Sequence, residues 1–559
     1  FFGTAQPNQF TTGPSGVTYT GPTDWGLRRM ILHYAHLCVA AGGVDAFCIG
    51  SEMRGLTQIR GPGGTFPAVA ALKALAAEVR SILGPTTKIG YAADWTEYFG
   101  YQPQDGSGNV YFHLDPLWSD PNIDFIGIDN YMPVSDWRDG DDHADASFGS
   151  IYALDYLRAN VEGGEGYDWY YDSDEGRAVQ VRLPIEDGAY GEPWVYRYKD
   201  IRGWWSNPHH ERIGGVRQPV PTAWVPQSKP VWFTELGCPA LDKATNEPNK
   251  FLDAKSSESA LPRFSNGTRD DLLQAQYYRA VLGYWGGPGT NPVSEVYGAP
   301  MIDLARAHAW AWDARPFPQF PALSELWTDA GNYRRGHWLN GRTSSQALGS
   351  VVAEICARSG VAEVDVDGLF GLVRGYSVAD VDGARAVLQP LMLAYGFEAI
   401  EREGRLIFRN RGRQPERDIV PDDLALTEEQ RGSVETVRAP AAEVAGRVRL
   451  THVEADGDYE ARTAEAIFPD ERTLAVSNSE LPLVLTVAEG RAIVERWLAE
   501  SRVARDTVRF ALPPSTLATG AGDVVRLLAG DTSATYRIDR VGQAGAGLID
   551  AGPGHSPTR

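Results

Sequence analysis

Between residue 24 and about residue 338 the chain alternates two hydrophobic patterns. DWGLRRMILHYAHLCVAAGG spaces its apolar residues as an amphipathic helix does, with Asp24 as the expected N-cap and Gly42 as the stop. VDAFCIGSE reads as a strand, FPAVAALKALAAEVRSILG as a second helix and KIGYAAD as a second strand. IDFIGIDNYMP, KPVWFTELG and HAWAWDARP are three further strands, with the helix RDDLLQAQYYRAVLGYW before the last. Unbroken apolar strands alternating with helices predict a parallel sheet covered on both faces. Each strand ends in polar residues: Glu52, Asp94, Asp129 with Asn130, Glu235 and Asp313. That arrangement fits a (β/α)8 TIM-barrel-like domain, whose working face is the carboxyl end of its strands.

The 95 residues from Val134 to Ser228 break this rhythm and are crowded with Trp, Tyr, Asp and Gly. A connection of that length reads as a working surface inserted into the barrel. After residue 338 Trp nearly disappears and Val, Ala, Arg and Glu dominate. Helix, strand and hairpin patterns there predict a small α+β domain over 339–425. A β-barrel-like domain with one helix is expected over 426–559. The barrel itself is expected over 1–338.

Composition narrows the function. A formal charge of −21 argues against a nucleic-acid-binding surface. The 16 Trp, 24 Tyr and 60 Gly suit carbohydrate binding or large protein interfaces. Cys38, Cys48, Cys238 and Cys356 have no paired spacing, so buried free thiols are expected and neither a zinc site nor a disulfide framework. No run of about 18 apolar residues predicts a membrane span. The Phe-Phe-Gly start without Met reads as that of a processed or truncated chain.

Two glutamates at strand ends, Glu52 and Glu235, lie 183 positions apart, as two strands of one barrel allow. Glycoside hydrolysis needs such a pair, one giving a proton and one attacking the sugar or activating water. A structural reading stands beside it: Glu52 paired with an Arg such as Arg54, or hydrogen-bonded to barrel neighbours. Asp94 and Asp129 could line the same mouth or serve as caps and loop anchors. The acidic runs at 139–145 and 172–176 lack a closing Glu and read as solvated loops rather than calcium sites. His209-His210 reads as surface. No metal or other cofactor is expected.

IGSE, WFTELG, GIDNYMP and WAWDARP resemble the fourth, seventh, sixth and eighth strands of the barrel glycosidases that keep acid and nucleophile on the fourth and seventh. The resemblance implies Glu52 as acid, Glu235 as nucleophile and Trp310 or Trp312 beneath the sugar; Asp94, Asp129 and Asn130, at strand ends of the same barrel, are the candidates for further substrate contacts. Ser51 stands where that superfamily has Asn. Residues 1–23 leave no room for the first two or three strands.

FCIGSEMRGLTQIR, ADWTEYFGY, DFIGIDNYMPVSDWRDG and KPVWFTELGCPA together resemble the barrel domain of the large tail proteins of gene transfer agents and siphophages. RTSSQALGSVVAEICARSGV and GARAVLQPLMLAYGFEAIEREGRLIFRNRG resemble the tail domain of the same family. The resemblance implies phage tail hub domains after the barrel, and a baseplate hub that aids DNA delivery. It implies a homotrimer contacting the tail tube and the distal tail protein, with packaged DNA passing through without specific binding. It places the protein in a virion tail baseplate, assembled in the bacterial cytoplasm and released on lysis. The barrel is then a glycan-binding or vestigial glycosidase. The alternatives are an active retaining hydrolase of cell-surface or cell-wall polysaccharide, and an adhesin using Trp169, Trp204 and Trp205. Carboxylates about 5 Å apart in an open cleft would permit retaining chemistry.

Overall fold

The computed structural model describes residues 2–379, 382–412, 416–428, 430, 432–440, 444–457, 459–469, 475–529, 532–543 and 547–553. The chain separates into two compact units, Phe1–Asn340 and Gly341–Arg559.

In the first unit a hairpin, β1 (Phe10–Gly13) and β2 (Gly16–Tyr19), precedes helix α1 (Leu27–Ala40). Then follow β3 (Ala46–Ser51), α2 (Pro67–Leu83), β4 (Lys88–Asp94), β5 (Phe125–Asn130), β6 (Val231–Gly237), α3 (Asp271–Trp285) and β7 (Ala309–Trp310). The five strands β3 to β7 form one parallel sheet in sequence order, half a barrel. All six residues of β5 are buried, as the centre of a sheet covered on both faces requires. β3 is an edge with exposed positions, which leaves Cys48 exposed rather than buried; Cys38, on α1, is half-buried, and all four cysteines are free.

The start of α1 corrects one expectation. Gly26, not Asp24, is its N-cap, and the Asp24 carboxylate instead accepts from the Thr4 backbone N–H at 2.7 Å. A side chain on Gly26 would strike the Gly3 backbone at 2.7 Å, so the N-terminal segment crosses the helix start where only glycine fits.

The 134–228 insertion packs four of its tryptophans inward and leaves Phe148, Tyr170 and Tyr190 exposed. Trp194, Trp204, Trp205 and Trp224 join Tyr91, Tyr98, Ile126 and Ile128 in one core. His209 and His210 are buried, against the expectation that they lie on the surface. His209 Nδ1 lies 2.9 Å from Asp115 Oδ2 and Nε2 lies 2.8 Å from the Trp204 carbonyl, between the rings of Phe112 and Trp224. Lys199 is buried too, and donates to the carbonyls of Pro133 (2.7 Å) and Gly163 (2.6 Å). Burial of Trp204 and Trp205 removes two of the three rings an adhesin surface would use. Trp169 is half-buried beneath the Arg182 guanidinium.

The second unit holds a three-stranded sheet from Val364–Gly368, Phe397–Arg402 and Arg405–Asn410. A second comes from Arg447–Glu454, Ala461–Ile467 and Val476–Leu485, and a six-stranded sheet from 417–553. Helix Val487–Val503 begins at a reciprocal cap: Glu489 N–H donates to Thr486 Oγ1, and Thr486 N–H donates to Glu489 Oε2. One core gathers Leu348, Phe397, Phe408, Leu450 and Val494; another gathers Ile419, Phe510, Val525 and Ile549. Among the described residues no helix is long and apolar enough to cross a membrane.

Strands β4 and β5 meet closely at Gly127, where a methyl would sit 2.6 Å from the Tyr91 carbonyl oxygen and 3.0 Å from Thr234 Cγ2. Gly127→Ala is expected to destabilise the protein by about 2–3 kcal/mol through overpacking, read as a lowered denaturant midpoint at unchanged slope.

Candidate functional site

The carboxyl ends of β3 to β6 converge. Register sets Asp94 beside Asp129, and Asp129 beside Glu235. A register shift occurs between Cys48 and Ser51 on β3, and another between Phe233 and Glu235 on β6. Such bulges re-aim side chains at strand ends. Here they bring Glu52, Asp129 and Glu235 together, with one oxygen from each within 4.8 Å of the others. That spacing suits a retaining carboxylate pair. It is also close enough for one small cation to bridge the three, and no other set of three His, Cys, Asp or Glu side chains among the described residues comes as close.

Asp129 is the clamp. It is fully buried at the end of the central strand, where its two oxygens accept from Ser51 Oγ (3.0 Å) and Thr234 Oγ1 (2.6 Å). Each of those hydroxyl residues immediately precedes a glutamate of the pair, so the clamp ties both strand ends to the centre. Tyr131, which follows Asn130, donates to Glu235 Oε2 at 2.6 Å.

Glu52 stands at φ +48°, a left-handed conformation that costs a non-glycine residue about 1–3 kcal/mol. Its N–H donates to the Ala92 carbonyl (2.8 Å). Arg54 does not pair with it; that guanidinium donates to Thr96 Oγ1 at 2.6 Å. Asp94 anchors its own loop by accepting from the Thr96 N–H at 2.7 Å. Asn130 is buried, accepts from the Met132 N–H, and lines an inner crevice with Tyr277 and Trp285 rather than the mouth. Trp310, paired with Gly237, is 46% exposed and Trp312 is 65% exposed. Asp313 is held by Arg315 and lies beyond β7.

Glu52 is exposed at the mouth, and partial desolvation of its carboxyl, then the Asp129 and Glu235 charges, push it up to about 8. Burial pushes Asp129 up to about 7, with the neighbouring Glu235 and Asp94 charges adding and the two hydroxyl hydrogen bonds opposing. Glu235 is raised by burial and held back by the Tyr131 hydrogen bond. Glu52 therefore holds a proton at neutral pH that it can donate, beside a second carboxylate steadied by a phenol.

The sequence singled out Glu52, Glu235 and Asp129, which the structure brings together; it gave no role to Thr234 and Tyr131 and read Ser51 only as standing in place of Asn. The available signal was the hydroxyl residue immediately before each glutamate. An acid whose folded pKa exceeds its unfolded one retains a proton that the unfolded chain has released, so its share of stability falls as pH rises between the two values. Glu52→Gln should therefore gain stability relative to the parent as pH rises from about 5 to about 8. Denaturant midpoints measured in parallel check this, and a difference independent of pH would contradict it.

Residues 25–321 match the family described as GTA TIM-barrel-like domain, and residues 383–541 match the one described as "Putative phage tail protein". Among solved structures, a chain of the virion of a native gene transfer agent (GTA) particle is 55% identical at TM-score 0.40, over 41% of this chain and 52% of that one. The protein thus spans about half the length of that chain. The tail protein from Neisseria meningitidis MC58 is 8% identical at TM-score 0.28, over 38% of this chain and 67% of that one. The 43 kDa tail protein of prophage MuSo2 from Shewanella oneidensis is 11% identical at TM-score 0.27, over the same shares. No curated protein matches. The first family match takes in more than half of the sequence, and the protein belongs to the GTA TIM-barrel-like domain family.

Proposed function

We propose that the protein is a structural component of a phage-like tail, the baseplate hub of a gene transfer agent particle, and that its barrel mouth binds cell-envelope glycan. One observation carries this reading: a single chain holds a GTA TIM-barrel-like domain and, after it, a phage tail domain. In this reading the tail portion from residue 339 joins two further copies of itself, the tail tube and the distal tail protein. The barrel then faces the envelope. Packaged DNA passes without specific contact, which a charge of −21 favours. Assembly in the cytoplasm and release on lysis follow from the same reading.

The carboxylate spacing favours a second reading, retaining hydrolysis of surface or cell-wall polysaccharide. Glu52 would pass its proton to the glycosidic oxygen while a Glu235 oxygen attacks the anomeric carbon, giving a glycosyl ester and a free hydroxyl on the leaving sugar. Glu52, now ionised, would take a proton from water as that water opens the ester, restoring both groups. The exposed ring of Trp310, on the strand beside Glu235, offers a face for a sugar.

A tagged chain should copurify with tails in fixed ratio and place gold label at the end of the tail far from the capsid. Recovery only as free monomer would sink the hub reading. If the barrel is a hydrolase, isolated envelopes should release reducing sugar with the parent protein, and Glu52→Gln should slow that release about a hundredfold or more. A parent protein without turnover ends the hydrolase reading and leaves binding as the role of the mouth.

A further inference from the structure

We propose that Tyr91 and Glu97 are positioning residues for Glu52, holding the strained turn that aims its carboxyl at Asp129 and Glu235. The inference rests on the reading of Glu52 as the working carboxylate of the glycan mouth.

A left-handed glutamate persists only where its surroundings over-determine it. The turn from Gly50 to Met53 is tied on several sides. Glu52 N–H is held by the Ala92 carbonyl, and the next N–H, that of Met53, donates to the Tyr91 hydroxyl at 2.8 Å. The Met53 methyl lies 2.2 Å from where a Gly50 Cβ would stand, so the side chain folds back on the strand it has just left.

Tyr91 is fully buried, and its oxygen is already an acceptor. Its own proton must point away from Met53. Glu97 receives it, with both carboxyl oxygens 3.0 Å from the phenol. Glu97 is itself fully buried, and its other side-chain donor is Thr57 Oγ1. Both side-chain donors to Glu97 are hydroxyls, the backbone at Asp94 adds a further hydrogen bond, and His113 Nε2 lies 3.3 Å from Thr57 Oγ1. Burial pushes the Glu97 carboxyl up to about 7. A buried carboxyl held by two hydroxyls is a costly way to fill space. What it supplies is direction. An acceptor beneath the phenol turns the O–H down and a lone pair up toward Met53. With no acceptor there, the O–H is free to rotate toward the Met53 N–H and break the tie. Arg54 to Thr96 and Thr57 to Glu97 fasten the same two loops alongside.

The test compares the full chain with Tyr91→Phe, Glu97→Leu and Glu97→Gln. Amide exchange over residues 50–58 is followed by mass spectrometry, and carbodiimide labelling of Glu52 is mapped by peptide. Tyr91→Phe, which removes one atom and keeps the ring, should raise exchange at Met53 about tenfold and alter Glu52 labelling. Glu97→Leu should do the same. Glu97→Gln keeps an acceptor for the Tyr91 proton and should stay within about twofold of the parent, a rescue that a space-filling role would not produce. Parental exchange and labelling in folded Tyr91→Phe would overturn the proposal, even if Glu97→Leu fails to fold. Binding of soluble envelope glycan fragments separates the two ideas. If the parent binds and Tyr91→Phe binds equally well, the positioning role fails. If the parent binds nothing while exchange still depends on Tyr91, the positioning stands and only the glycan reading falls.

Discussion

The candidate site depends on one buried carboxylate. Asp129 ends the central strand of a five-stranded parallel sheet and accepts a hydroxyl from each side, Ser51 on one and Thr234 on the other. β4 lies between β3 and β5, so the Ser51 contact spans an intervening strand and draws the sheet edge toward its centre. Because successive side chains of a strand point to opposite faces, fixing Ser51 and Thr234 also constrains where the next residue can go. The next residue is a glutamate in both cases. The same contact therefore gathers the acids; desolvation first, and then their mutual repulsion, hold the Glu52 and Asp129 carboxyls well above the ordinary carboxylate range.

Around this clamp the first unit invests in rigidity. The insertion contributes tryptophans to the core beneath the sheet and fastens itself with buried polar groups. His209 bridges Asp115 to the Trp204 carbonyl, and Lys199 bridges Pro133 to Gly163. Pro133 lies three residues past Asn130, so the Lys199 contact fastens the segment that presents Tyr131 to Glu235. A mouth with fixed walls suits either holding a polymer or orienting a bond for cleavage, since both depend on groups placed before the ligand arrives.

The five strands and their polar ends were legible because each is a short apolar run closed by a carboxylate or amide, a pattern set by local burial. What escaped depends on distant partners. Asp24 looked like a cap, but the crossing of Gly3 over Gly26 decides that helix start. His209, Trp204 and Trp205 looked exposed because the insertion has no period, while the groups that bury them come from elsewhere, such as Asp115 and Tyr98. Ser51 looked like a loss relative to the Asn of barrel glycosidases; its hydroxyl serves the clamp instead. The left-handed turn at Glu52 had no signature, since that conformation is imposed by Ala92 and Tyr91 on the neighbouring strand.

In the proposed particle the mouth formed by Glu52, Asp129 and Glu235 meets envelope glycan while the tail domain sits in the tail. Electron cryo-microscopy of particles bound to envelope fragments tests it most directly. The expected result is saccharide density between Glu52 and Glu235 against the exposed face of Trp310, with the barrel turned toward the envelope. An attached envelope with that mouth empty and facing the tail tube would contradict it.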